Sequence, residues 1–134
     1  MSEQHGKTYR PWDPERYRHE AQSPAAKLPE GDLVFFLLDT VSQLDLQRVY
    51  APYEEETRGA PPFAPAMMVC LLLYAYCVGV FSSRKMALAC ERNLAFMAIV
   101  GQERPDFRTI SGFRKQHLEA CKEVCVQVVR LAGG

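Results

Sequence analysis

PAMMVCLLLYAYCVGVFSSRK, Pro65 to Lys85, decides the fold. From Ala66 to Phe81 it carries no charge over 16 residues. That is short of the roughly 20 apolar residues a membrane span needs. Pro65 stands where the first turn of a helix tolerates a missing amide. The apolar side chains fall nearly all round the helical wheel, as expected of a helix at the centre of a small bundle. The stretch predicts a buried core helix from about Ala66 to Val80, ended by Ser82 and Ser83, which also cap the next helix.

Downstream, RKMALACERN forms that next helix and Asn93 breaks it before a short apolar helix, LAFMAIV. Gly101 to Arg108 is a turn, with Pro105 holding its predecessor out of helical geometry. Thr109 is placed as the cap of a last helix, about Ile110 to Leu131. There Ile110, Phe113, His117, Cys121, Val124, Val128 and Leu131 step by three or four and face inward, while Ser111, Arg114, Lys115, Leu118 and Lys122 lie on another side. Upstream, Asp32 caps a helix through LVFFLLDTVSQL, and Asp45 caps a short one, LQRVYAPY, stopped near Pro52. Residues 54–65 form a charged, proline-rich loop. Residues 1–31 show no apolar period and carry Pro11, Pro14, Pro24 and Pro29; they predict an extended arm, in which YRPWDPERYR is pinned by Trp12 to the protein's own core or, alternatively, packs on DNA or another domain. No strand alternation is present. The expected fold is all-α: a small helical bundle over residues 32–134, with a helix-turn-helix-like C-terminal half at about 82–131 and an extended N-terminal arm.

The net charge is zero, yet it is unevenly spread. Residues 84–115 hold Arg84, Lys85, Arg92, Arg104, Arg108, Arg114 and Lys115 against Glu91, Glu103 and Asp106, a balance of plus four. Residues 28–60 hold seven carboxylates against Arg48 and Arg58, a balance of minus five. The basic segment coincides with the helix-turn-helix-like run. In such motifs the start of the last helix meets base edges in the major groove. Arg114 suits a paired contact to guanine, Lys115 and Arg108 suit phosphates, and Ser111 with the amides near Thr109 suits a phosphate at a helix start. The competing reading makes Arg114 and Lys115 an ordinary solvated face.

Other chemistry is poorly represented. The five cysteines, Cys70, Cys77, Cys90, Cys121 and Cys125, are odd in number and follow no leader segment, so they are expected to be reduced, intracellular and packed as small hydrophobes. Cys121 and Cys125 share a helix face, but no second Cys or His pair has zinc-finger spacing. His117 lies on the apolar stripe, as a core residue rather than a base or ligand. Glu54, Glu55 and Glu56 make a solvated acidic run. No phosphate-cradling glycine loop and no nucleophile elbow occur.

Four collinear stretches carry a resemblance: RPWDP (Arg10 to Pro14), LPEGDLVFFLLDTVSQLDL (Leu28 to Leu46), GAPPFAPAMMVCLLLYAYCVGVFSSRK (Gly59 to Lys85) and NLAFMAIVGQERPDFRTISGFRKQHLEA (Asn93 to Ala120). The chain resembles the helical N-terminal domain of bacterial DDE-type insertion-sequence transposases. The resemblance implies a DNA-binding domain that recognises double-stranded DNA at the element's terminal inverted repeats, in the cytoplasm and at the nucleoid. It implies that catalysis belongs to a following RNase-H-like domain in which three carboxylates hold two metals. No acidic residue here matches that triad, so the chain is expected to have no enzymatic activity, metal or cofactor of its own. The DNA-contacting residues are expected to be Arg84, Lys85, Arg108, Thr109, Ser111, Arg114 and Lys115. Two departures stand out. Gly112 is placed in the first turn of the recognition helix, where the family commonly has a larger polar residue, and Met86 to Ala89 are less charged than usual. A second expectation is a helical interaction module that pairs with itself or with full-length transposase, as an inhibitor or a remnant, through the apolar Ala66–Phe81 helix and the Val124–Val128 stripe.

Overall fold

A computed structural model of the chain describes residues 9–14, 23–47, 49 and 63–133. Among these residues there are helices and no strands. After a 3-10 turn at Ala25–Lys27 come α1 (Leu33–Ser42), α2 (Pro65–Cys77), α3 (Ser83–Arg92), α4 (Leu94–Val100), α5 (Phe107–Gln116) and α6 (Leu118–Gly133).

The apolar run behaves as its composition requires. In α2 every residue from Met67 to Ala75 is buried, along with Pro65. One helix can be apolar all round only if neighbours cover it, and α1 and α4 pack directly against it. Tyr74 meets Phe96 of α4 edge-on, with ring centroids 5.1 Å apart. The start of α1 follows its cap, as the Asp32 carboxylate accepts the Val34 N–H at 3.0 Å. Asn93 ends α3 and starts α4, accepting from the amides of Ala95 and Phe96.

The end of α2 differs from expectation. The helix stops at Cys77, three residues before Val80, and the serines do not stop it. Gly79 takes φ +83°. The Val80 N–H then reaches back to the Ala75 carbonyl at 2.8 Å and the Gly79 N–H to Tyr76 at 3.2 Å. This pair of bonds is a Schellman motif, which satisfies carbonyls the helix end would otherwise orphan. Ser82 caps α3 as expected, accepting the Lys85 N–H at 3.3 Å.

The last helix also differs. It begins at Phe107, capped by Asp106 and not by Thr109, because the Asp106 carboxylate accepts the Thr109 N–H at 2.8 Å. Gly112 therefore lies in the middle of α5 and not in its first turn. The helix is interrupted at His117, where α6 starts, although neither proline nor glycine marks the break. The inward stripe survives the interruption: Ile110, Phe113, His117 and Val124 are buried, and Cys121 and Val128 are half-buried.

The described parts of the first 31 residues lie on α4 and the turn after it. Trp12 donates its indole N–H to the Ile99 carbonyl at 2.7 Å, as the pinned-arm expectation requires. Arg10 sits 3.6 Å from Glu103 and 4.3 Å above the Phe63 ring. Asp45 accepts the Gln47 amide at 3.1 Å, as expected of a cap. Most of the helix proposed to follow it, and Glu54 to Glu56, lie outside the described residues. No helix among the described residues is long and apolar enough to cross a membrane.

Candidate nucleic-acid interface

Helix α3 joins the two parts of the molecule. It packs against α4 of the bundle on one side and against α5 on the other. Met86 and Cys90 of α3 and Ile110 and Phe113 of α5 are buried at this junction. The basic residues of both helices are thereby held on elements that share one core.

Three of the expected contact residues converge. Ser111, Arg114 and Lys115 line an open, shallow groove together with Ser83 and Leu118. Arg114 builds the groove. Its Nη1 donates to the Phe81 carbonyl at 2.9 Å and to the Ser83 hydroxyl at 3.0 Å. Its guanidinium carbon lies 5.7 Å from the Tyr76 ring centre. This arginine is half-buried, so it fastens the segment between α2 and α3 as well as adding charge. Lys115 is exposed, and Ser111 is half-buried.

A second cluster surrounds Phe107. Arg84 of α3 lies 3.8 Å above the ring centre, and Arg108 lies 5.8 Å from it. Such a ring attracts each cation modestly, by about 0.5–1 kcal/mol at exposed sites. It also holds two guanidinium groups near one another. The carboxylate of Asp106 adjoins this group. The Thr109 amide and hydroxyl hold its carboxyl below the usual value, and the charge of Arg108 lowers it further. Because the Thr109 amide is taken by Asp106, that amide is not presented to a phosphate; the Thr109 side chain is exposed. Lys85 is exposed in the first turn of α3. The seven expected residues thus divide into a groove (Ser111, Arg114, Lys115), a ring-centred pair (Arg84, Arg108) and two exposed neighbours (Lys85, Thr109).

Sequence reasoning missed Ser83, Tyr76, Phe81 and Phe107. Nothing in the local spacing marks the first three, because Arg114 reaches them across more than thirty positions of chain. Asp106 was findable: an aspartate three residues before Thr109 is a preferred cap.

Four of the five thiols are held away from the thiolate form. Burial pushes Cys90 up to about 12 and Cys121 up to about 11, and it also raises Cys70 and Cys125. All five are free, with Cys70 and Cys90 in the core as expected. Cys77 departs from that expectation and is exposed, because it is the last residue of α2. His117 is buried with its ring centre 4.5 Å from that of Phe113, and burial lowers its pKa. Among the described residues no three of His, Cys, Asp or Glu lie close enough together to hold a metal ion.

Fold and surface together define a protein that is helical among the described residues and carries Arg84, Lys85, Arg108, Arg114 and Lys115 on the helices of one junction. Comparison with known proteins supplies the family: residues 22–116 match the Transposase domain family (DUF772), and the chain belongs to it. The match ends with the last residue of α5, so it takes in the five helices α1 to α5 and the basic residues of α3 and α5. No curated protein and no solved structure matches the chain.

Proposed function

We propose that this chain is the DNA-binding domain of a DDE-type insertion-sequence transposase and recognises the element's terminal inverted repeats. The observation that carries the reading is the junction of α3 and α5, which holds Arg84, Lys85, Arg108 and Lys115 on helices that share a buried seam. In this reading α3, α4 and α5 act as a helix-turn-helix with a long turn, and α5 enters the major groove. Lys115, Lys85, Arg84 and Arg108 contact phosphates, which give affinity without sequence information. Ser111 faces the duplex from the groove beside Arg114 and Lys115, and Thr109 lies on another side of α5. The guanidinium of Arg114 orders the groove, leaving less of it to read bases than its sequence position implies. Strand cleavage and joining belong to another part of the transposase, and the chain works at the bacterial nucleoid.

The test is binding of the chain to a labelled duplex carrying the inverted repeats that flank its own gene, against a scrambled duplex of equal length. Tighter binding to the repeats, weakened to a similar extent on both duplexes in Lys115→Ala, supports the reading. Equal affinity for both duplexes sinks repeat recognition.

A self-association reading rests on a smaller surface than composition implies. The apolar α2 and Val124 are covered by the protein's own core. What remains for pairing is a set of exposed side chains, Leu88, Leu118 and Val126 among them. Sedimentation over a range of concentrations, with and without DNA, separates the two.

A further inference from the structure

Phe81 is an unusual exposed residue. It is 63% exposed, more than any other large apolar side chain among the described residues. Exposed rings are ordinary when isolated, but this one is held in place. Its ring stacks on Tyr76 with centroids 6.0 Å apart and planes at 24°. Its carbonyl accepts from Arg114 Nη1 at 2.9 Å. The segment that presents it leaves α2 through Gly79 at φ +83° and enters α3 through the Ser82 cap. Both ends of this short segment are therefore fixed, and its carbonyl bond ties Phe81 to Arg114, which lines the groove with Ser83 and Lys115.

We propose that Phe81 stacks on an unstacked or bulged base of the DNA held by the basic face. The inference rests on the DNA reading above and adds a specific contact to it. Aromatic side chains stack on bases with little regard to sequence, and wedges of this kind accompany kinked steps. The charges beside Phe81 favour this occupant. Arg84 and Lys85 follow three and four positions later in sequence, and Arg114 is bonded to the Phe81 carbonyl; Arg84 and Lys85 suit phosphates flanking the stacked base. A second copy of the chain fits poorly, because a two-fold contact through the same patch would bring these cations against their own copies. A ring already positioned by Tyr76 and Arg114 loses little freedom on binding.

The experiment uses the full chain and two short duplexes of one sequence at low salt, one perfectly paired and one with a single bulged 2-aminopurine. Wild type is expected to bind the bulged duplex at least about fivefold tighter, with quenched 2-aminopurine fluorescence. Phe81→Ala should lose both the preference and the quenching while keeping its affinity for the perfect duplex. Phe81→Leu, which retains apolar bulk without a stacking face, should behave like the alanine variant, and Phe81→Trp should retain both signals. Equal binding of the two duplexes by wild type overturns the stacking contact and leaves the DNA reading standing. Failure to bind either duplex overturns both. If Phe81→Ala changes only the sedimentation of the free protein, the ring is a self-association contact and the proposal fails.

Discussion

Helix α2 and helix α5 are near neighbours in length but opposite in construction. The first is buried over almost its whole surface; the second buries only Ile110 and Phe113 and turns its other residues partly or wholly to solvent. The buried helix is defined by what surrounds it, so its local sequence needs only to be apolar and helical. The other is defined by a seam of two buried residues and by contacts that reach across the chain, from Arg114 to Phe81 and Ser83 and from Arg84 to Phe107. Burial and exposed charge are thus concentrated on different helices.

This separation can be broken deliberately. The largest effect is expected from Leu71→Ala in α2. Leu71 is fully buried, and truncating such a residue removes about 2–5 kcal/mol of stability through lost burial and a residual cavity. Urea unfolding should show that loss, while the folded fraction keeps its DNA affinity. A change below about 1 kcal/mol would mean α2 is less tightly enclosed than described. Lys115→Ala should do the reverse. Being exposed, it should shift stability by no more than about 0.5 kcal/mol while weakening DNA binding.

Between these extremes lies Gly79. The backbone there has φ +83°, and no neighbour would touch an added Cβ, so Gly79→Ala suffers from conformation alone. About 1–2 kcal/mol of destabilisation is expected. Thermal melting measures it, and an unchanged midpoint would show that the segment carrying Phe81 can relax. The smallest effect concerns Gly112. It lies within α5, it is exposed, and an added Cβ meets nothing within 4 Å. Gly112→Ala should stabilise the protein by about 0.5–1 kcal/mol. Destabilisation instead would point to a bend at this position that the helix needs.

The difference between the two helices also explains what the sequence revealed. The all-helical fold, the buried position of α2, the caps at Asp32 and Ser82 and the break at Asn93 are local consequences of composition and spacing. Trp12 was legible as a pin because a lone tryptophan among arginines and prolines has few ways to be covered. The early end of α2 was missed because an apolar run of Val78 to Phe81 conceals the helix-ending role of Gly79. Thr109 stands directly before the inward stripe that begins at Ile110, and this conceals the capping role of Asp106. The break at His117 has no local signature. The role of Arg114 was the least legible of all, since its partners lie in a segment that only tertiary folding brings near.

The central claim is that the cations of α3 and α5 form one surface that grips duplex DNA. Its most direct test is the salt dependence of duplex binding by wild type and by a variant combining Arg108→Ala with Lys115→Ala. Each lost phosphate contact should lower the slope of log K against log salt by about 1, so the double variant should bind more weakly with a slope shallower by about 2. An identical slope in the two proteins would contradict the claim.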